Sequence, residues 1–250
     1  MGTLRLVYLD NFVWSKIVKS NTGLMSGDEA DTYRAALPIL QEMVVSQKSI
    51  LCPVSFTHLA ELSTYRNEQV RNEAIALMGT LSQGLCLPWA IPGSAPKRSL
   101  SNVIGLFPSG QNLLFLEDMV SGMHPALALC EILQNGSILA EMVHSTVQEL
   151  NEVLRTRKVP ARTETSAEPP NTDANVDEAW FNEVFRLRLA DPNRQAEPGD
   201  TIDLLNLLYA SMTDVAVLDK GHAAMVKTSK LRQFWVTHRI QDLLEHLQKP

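Results

Sequence analysis

The sequence is poor in cysteine and has no long hydrophobic run. Its 250 residues include three cysteines, Cys52, Cys86 and Cys130, which lie far apart and form no CxxC pair. This spacing excludes a disulfide framework and a four-cysteine zinc site, and it fits a reducing compartment. The apolar runs, such as residues 113–116, are too short to span a bilayer.

The sequence also lacks a secretory signal and several catalytic patterns. Arg5, Asp10 and Lys16 interrupt what would be the apolar core of a signal peptide, so we expect a cytoplasmic protein with no membrane partner. No GxxxxGK[ST] loop, GxGxxG fingerprint, GxSxG elbow or HExxH motif occurs. These absences argue against nucleotide-driven chemistry, serine hydrolysis and zinc peptidase chemistry.

Positive charge is scarce overall but gathered in one segment. With 22 basic and 28 acidic residues, the formal net charge is −6, which excludes a protein that coats nucleic acid nonspecifically. Residues 220–239 nevertheless contain no Asp or Glu and hold Lys220, Lys227, Lys230, Arg232 and Arg239. We expect Lys220, Lys227, Lys230 and Arg232 to form a basic lip that binds a nucleic-acid backbone. The alternative is a solvated face that balances the acidic remainder.

Short apolar runs alternate with helical patterns, which predicts an α/β fold with a mostly parallel sheet. The predicted strands are residues 4–9, 50–54, 85–89, 214–218 and 231–236. The predicted helices include residues 11–18, 68–81, 200–209, 222–226 and 240–247. A further helix is predicted to open at the capping-box pattern of Ser26 and Glu29.

The chain is predicted to form a single domain with a large insertion. Its core comprises residues 1–90 and 199–250, and residues 100–195 form a helical insertion that includes a helix at 176–189. Within the insertion, residues 157–176 carry three prolines among polar side chains. Such a composition buries little apolar surface, so we expect a flexible connection there.

Four carboxylates fall where this sheet would bring them together. Asp10 and Asp219 each end a predicted strand, Asp203 lies in the first turn of the helix before the later strand, and Glu61 follows the second strand. Active sites of open α/β sheets form beyond the carboxyl ends of the strands. Because crowded carboxylates repel one another, they would need a cation, and their oxygen atoms suit Mg²⁺ or Mn²⁺. The four acids therefore predict metal-assisted phosphodiester hydrolysis.

Each of these residues has a plainer structural alternative. Asp10 is a candidate strand-terminal cap, Asp203 is favoured by the helix dipole, and an isolated Glu61 is typical of a solvated helix face. His58 and His222, three residues from two of the acids, are interpreted as structural histidines. Asp214 is expected either to cap a turn before its strand or to support the site from behind its ligands.

The segments 6–11, 51–55 leading to Glu61, and 203–219 resemble the PIN (PilT N-terminus) nuclease family over residues 4–90 and 199–240. The resemblance implies a PIN-like three-layer fold and a metal-dependent ribonuclease. It assigns the catalytic and metal-binding roles to Asp10, Glu61, Asp203 and Asp219, which bind one or two Mg²⁺ or Mn²⁺ ions that position water. The sequence departs from the family at Val217-Leu218, where Thr or Ser is frequent.

The resemblance also implies supporting residues and partners. Asn11 or Ser15 would be the small polar helper, and Asp203 is preferred to Asp200 as the third ligand. The substrate would be RNA, and since small bacterial PIN proteins are often toxins or defence nucleases, an antitoxin, another protein partner or a homo-oligomer is conceivable. Two alternatives remain: a catalytically weak or inactive PIN-like interaction module, and a haloacid-dehalogenase-like phosphatase, which Phe12 disfavours because a second acid is usual there.

Overall fold

A computed structural model describes residues 4–55, 57–58, 61, 67–85, 87, 180, 183–184, 186–188 and 200–249. The predicted insertion at 100–195 and its flexible segment at 157–176 lie outside the described residues, apart from six residues near its end. Those six have helical backbone, in agreement with the helix predicted at 176–189. Trp180 among them donates from Nε1 to the carbonyl of Leu207 at 3.3 Å, which joins the end of the insertion to the core.

Four parallel strands form the centre of the protein, in the order β2-β1-β3-β4. They are β1 (Arg5–Leu9), β2 (Ile50–Leu51), β3 (Val215–Val217) and β4 (Trp235–Thr237). Beyond β2, the N–H of Val54 donates to Leu85 O at 3.0 Å and the N–H of Leu87 donates to Val54 O at 2.7 Å. This is the pattern of a parallel pair, so the described part of the strand predicted at 85–89 extends the sheet.

Helices cover both faces of the sheet. The described residues include α1 (Asn11–Asn21), α2 (Asp28–Gln41), a π-helical turn (Glu42–Ser46), α3 (Glu68–Ser82), α4 (Asp200–Ser211), α5 (Lys220–Thr228) and α6 (Ile240–Leu247). Side chains alternate along a strand, and so Val7 and Leu9 pack with α1, α2, α3 and α6, whereas Tyr8 packs with α4 and α5. The α/β class is confirmed, with helices layered on each side of a parallel sheet.

Several element boundaries differ from the sequence predictions. The helix predicted to be capped by Ser26 begins after Gly27, whose φ of 84° favours glycine, and no side chain caps it. Acidic residues in its first turn supply the negative charge that a helix amino terminus favours. β2 ends at Leu51 because the N–H of Cys52 turns to Leu81 O and Pro53 has no N–H. β4 begins at Trp235, later than predicted.

The topology of the sheet creates one crevice. The chain leaves β1 towards β2 on one side and leaves β3 towards β4 on the other. At such a reversal of strand order, the connections diverge and leave a cleft beyond the carboxyl ends of the central strands. Among the described residues, no helix has the length and apolarity that crossing a membrane requires.

Candidate functional site

Two of the predicted acids lie side by side at this crevice. Asp10 follows β1 and is the N-cap of α1, and Asp219 follows β3 and is the N-cap of α5. The N–H of Asp10 donates to Val217 O at 3.0 Å, and the N–H of Asp219 lies 3.4 Å from Oδ2 of Asp10. The capping role predicted as the plainer alternative for Asp10 is therefore real, and it coexists with a place in the crevice.

Asp10 is a buried carboxylate with an unfavourable charge. Its side chain is 9% exposed, and its Oδ1 accepts from the N–H of Asn11 at 2.6 Å. Burial raises the pKa of Asp10 to about 7, against the opposing effect of the Asn11 hydrogen bond, and the charge of Asp203 adds to the rise. The negative charge on Asp10 is thus costly near neutral pH unless a proton or a cation neutralises it.

Glu61 joins the same electrostatic cluster. Its backbone is helical and its side chain is partly buried. Burial, followed by the charges of Asp10 and Asp203, raises the pKa of Glu61 to about 7. Since Asp203 raises the pKa of both other acids, Asp10, Glu61 and Asp203 lie close enough to repel one another, as the order of the elements predicts.

His222 connects Asp219 to the rest of the cluster. The carboxylate of Asp219 accepts from the N–H groups of Gly221 at 2.8 Å and His222 at 3.1 Å, and its Oδ2 contacts Nδ1 of His222. On the other side of the ring, Nε2 lies 3.7 Å from Oδ2 of Asp203. A Cβ at Gly221 would stand 3.2 Å from Oδ1 of Asp219, so a side chain there would crowd the cap.

His222 is the site residue that sequence reasoning misplaced. The sequence predicts a structural histidine, whereas the ring contacts two of the four acids. The Asp-x-x-His spacing at a helix start indicates contact with Asp219, because residues three apart share a helix face. The contact with Asp203 comes from a separate helix and has no local signal.

The donor chemistry of the cluster fits a hard divalent cation. Carboxylate oxygens are the ligands that Mg²⁺ and Mn²⁺ prefer, and mutual repulsion of the acids favours a cation among them. Among the described residues, however, no three His, Cys, Asp or Glu side chains are arranged to hold a metal ion. The carboxylate of Asp219 is engaged by helix N–H groups and by His222. To bind an ion with the other acids, it would exchange its contact with the imidazole for the metal.

A buried polar network lies behind the acids. The hydroxyl of Tyr8 donates to Oδ1 of Asn206 at 2.9 Å and lies 3.4 Å from Oγ of Ser55. Ser55 and Thr57 share a hydroxyl–hydroxyl hydrogen bond of 2.7 Å. All of these side chains are buried. The network ties β1, which leads into Asp10, to the segment leading into Glu61 and to α4.

His58 belongs to this network rather than to the acid cluster. It is fully buried, its Nδ1 accepts from the N–H of Ser55 at 3.0 Å, and its ring stacks on Tyr8 with centroids 5.0 Å apart. Burial lowers the pKa of His58 to about 3, so the ring is neutral at physiological pH. These contacts agree with the interpretation of His58 as a structural histidine.

The predicted supporting residues have separate positions. Asn11 is the first residue of α1 and is buried, and its Nδ2 has no hydrogen-bond partner among the described residues. Ser15 lies in the next turn of the same helix. Asp200 is the first residue of α4, and its side chain lies outside the described part of the chain.

Asp214 does not support the site. It precedes β3 at the opposite edge of the sheet, where its Oδ2 accepts from the N–H of Leu6 at 2.8 Å and its own N–H donates to Leu6 O at 3.0 Å. At about 3.3 Å per residue, the strand separates it from Asp219 by roughly 16 Å. The hypothesis that Asp214 assists the acids is therefore wrong, and the strand-capping alternative holds.

The predicted basic lip is divided between the two edges of the sheet. Lys220 begins α5 beside Asp219, but α5 carries the chain back to the amino edge, because β3 and β4 are parallel. Its nine residues span about 13 Å, which places Lys227, Lys230 and Arg232 at the far end, before β4. Of the four predicted lip residues, Lys220 alone lies at the crevice. Arg239, which follows β4, returns to that edge.

The described structure brings some of the predicted site residues together. A parallel sheet places Asp10 and Asp219 at one crevice, and Glu61 and Asp203 interact with Asp10 there. Many α/β proteins of different activities have a site at this edge. Comparisons of this chain with known protein families, with curated proteins and with solved structures find no match.

Proposed function

We propose that this chain is a PIN-like endoribonuclease that hydrolyses phosphodiester bonds with a carboxylate-bound Mg²⁺ or Mn²⁺. One observation carries the proposal: Asp10 and Asp219 adjoin at the crevice, where the N–H of Asp219 lies 3.4 Å from Oδ2 of Asp10 and the ring of His222 lies between Asp219 and Asp203. Concentrating negative charge in a partly buried place is costly. A site that neutralises this charge with a divalent ion gains affinity from the same repulsion.

The four acids would hold the ion. When bound, Mg²⁺ or Mn²⁺ supplies an activated water and neutralises charge that develops on a phosphate. Because the pKa values of Asp10 and Glu61 are both raised to about 7, these residues can exchange a proton for a cation near neutral pH. The N–H of Asn11 holds Oδ1 of Asp10 at 2.6 Å, which restricts the direction of its second oxygen.

A second candidate function is a catalytically weak or inactive interaction module with the same fold. The observation that favours it is the engagement of Asp219 by His222 and by the amino end of α5. A carboxylate that keeps these contacts is not available as a metal ligand. The two functions differ in whether the protein binds a divalent ion at all.

Asp10→Asn tests the proposed function. The amide keeps an oxygen that accepts from Asn11, so the cap of α1 is retained, and removal of a buried charge should not destabilise the fold. We expect the wild type to cleave a labelled single-stranded RNA in Mg²⁺ or Mn²⁺ and the variant to be at least about a hundredfold slower. Calorimetric titration with Mn²⁺ should show correspondingly weaker binding by the variant.

The same measurements identify the alternative. A folded wild-type protein that binds no Mn²⁺ at millimolar concentration and leaves RNA intact would be the interaction module. Cleavage at the wild-type rate by folded Asp10→Asn would remove Asp10 from the reaction and overturn the proposal.

A further inference from the structure

An open groove of about 600 Å³ lies next to the acid cluster. Asp219 and Lys220 contribute to its lining, as do Phe12 and Lys16 of α1 and Arg239 beside α6. Since Asp219 belongs both to the lining of the groove and to the acid cluster, the groove leads directly to the acids. Its volume is that of a site for a small ligand or for a short piece of a single extended chain.

One wall of the groove presents two cations beside Asp219. β3 and β4 are paired in parallel with Val217 opposite Thr237, so the residues that follow the two strands emerge side by side. Lys220 follows β3 in this way and Arg239 follows β4. Both are exposed.

These two cations are weakly committed to other groups. Lys220 makes no ion pair with any residue that the structure describes. Arg239 pairs with Asp242 at 3.7 Å, and both side chains are at least a third exposed. An exposed pair at this distance contributes little to stability, so the guanidinium of Arg239 can exchange Asp242 for a phosphate.

The cation on the opposite wall is satisfied within the protein. Nζ of Lys16 bonds Oε1 of Glu29 at 2.6 Å and lies 5.2 Å from the centroid of the Phe12 ring and 5.5 Å from that of Tyr33. An ion pair reinforced by two aromatic faces holds this ammonium in place. Lys16 and Glu29 therefore neutralise each other. Of the other charged residues in the lining, Asp28 and Asp219 are acidic and Lys220 and Arg239 are basic, so the positive charge available to a ligand is local to Lys220 and Arg239.

We infer that this groove binds the sugar–phosphate backbone of a single-stranded nucleic acid, with Lys220 and Arg239 each contacting a phosphate. The inference rests on the proposed function, because it supplies the substrate strand for the acids. Carboxylates without a cation repel a phosphate, and two cations beside Asp219 hold the strand against that repulsion. The same edge of the sheet would thus join the chemistry to the binding of its substrate.

A pair of charge-matched double variants tests the groove. Lys220→Ala with Arg239→Ala removes the two groove cations, and Lys227→Ala with Lys230→Ala removes two exposed cations at the other end of α5. Each lowers the net charge equally. Both are made in the Asp10→Asn background to prevent cleavage, and fluorescence anisotropy measures binding of an RNA and a DNA oligonucleotide of about 12 nucleotides at about 50 to 200 mM KCl.

We expect the groove variant to bind roughly tenfold more weakly at the lowest salt. Its salt slope should fall by about 1.4, because each lost phosphate contact of a single strand removes about 0.7. RNA and DNA should be affected alike, since the contacts are to phosphates. The control double variant should change binding less than about twofold.

Three results would overturn the inference: equal weakening by both double variants, which would assign the effect to overall charge; unchanged binding by the groove variant; or no binding by the Asp10→Asn parent at the lowest salt. Because the assay reads binding alone, its failure is distinct from failure of the proposed function. A protein that binds the strand in the groove but never cuts it would retain the inference and lose the ribonuclease.

Discussion

An aspartate lies at each end of β3, and the two have different contacts. Asp214, before the strand, is exposed, and its carboxylate accepts from the N–H of Leu6 at the amino edge of the sheet. Asp219, after the strand, is partly buried and lies against Asp10 and His222 at the carboxyl edge. The carboxylate of Asp214 completes the pairing of β1 with β3, and that of Asp219 belongs to the acid cluster.

The edge of a parallel sheet at which a carboxylate lies, rather than its residue type, decides what the carboxylate does. At the amino edge, backbone N–H groups need an acceptor, and water solvates the charge of the carboxylate. At the carboxyl edge, each strand turns into a helix amino terminus, and acids from several elements are directed into one crevice.

The largest effect is expected from replacing the two aspartates in turn. Asp219→Asn should slow RNA cleavage about a hundredfold or more, because it removes one charge of the cluster. Asp214→Asn should leave cleavage within about twofold, while the free energy of unfolding falls by about 1 kcal/mol because an amide is a weaker acceptor for the Leu6 N–H. Cleavage rates and urea denaturation of both variants measure the contrast.

The wild-type protein and the folded fraction of each variant serve as controls. Loss of cleavage by fully folded Asp214→Asn would show that the amino edge participates in the chemistry. Asp214 and Asp219 would then not differ in role.

An intermediate effect is expected from Tyr8→Phe. The variant leaves the buried acceptor of Asn206 without the Tyr8 hydroxyl, and so loosens the junction of the elements that lead to Asp10, Glu61 and Asp203. We expect Mn²⁺ affinity to fall about tenfold and the free energy of unfolding to fall by about 1 to 2 kcal/mol. Calorimetric titration and chemical denaturation measure the two quantities.

Thr213→Val is the matched control for Tyr8→Phe. Thr213 is also buried, and its hydroxyl donates to Ala210 O and lies 3.1 Å from Val215 O, outside the network. It should cost comparable stability and leave Mn²⁺ affinity unchanged. If affinity follows stability equally in both variants, the network has no positioning role.

The smallest effect is a dependence of the free energy of unfolding on pH, measured in the presence of a metal chelator. Asp10 and Glu61 have folded-state pKa values of about 7, above their ordinary values of 3.8 and 4.5. Their stabilising protonation is present at low pH and lost as pH rises through 7. Lowering the pH from about 8 to 6.5 should therefore raise the free energy of unfolding on the order of 1 kcal/mol.

The neutral His58 acts in the opposite direction at lower pH. Its pKa is lowered from 6.5 to about 3, so its contribution is complete above 6.5 and is lost as pH falls towards 3. Asp10→Asn combined with Glu61→Gln should flatten the profile above pH 6.5, and saturating Mn²⁺ should reverse it there. An unaltered slope in the double variant would contradict the assignment of the raised pKa values.

Local patterns were enough for much of the fold. The helix predicted at 240–247 matches α6, and the strand predicted at 214–218 contains β3, because amphipathic spacing and short β-branched runs are local signals. The four acids could be proposed as one site because a parallel sheet brings the carboxyl ends of all its strands to one edge.

What the sequence could not reveal depends on the direction of the chain in space. The basic stretch is continuous in sequence, yet it follows α5 from one edge of the sheet to the other, which separates Lys220 from Lys227. His222 meets Asp203 across two helices. The N-cap of α2 is Gly27, whereas local patterns favour Ser26 because its side chain can cap a helix.

The pairing of β1 with β3 has a consequence for biosynthesis. The hydrogen bond from Leu6 to Asp214 joins residues 208 positions apart, so the crevice closes only after the ribosome has made β3. The entropy of closing a loop grows slowly, about 0.6 kcal/mol for each doubling of its length, so a long intervening segment adds little to the cost. A nascent chain would carry Asp10 and Glu61 well before Asp203 and Asp219, and an incomplete chain would lack the charge cluster that we propose to cut RNA.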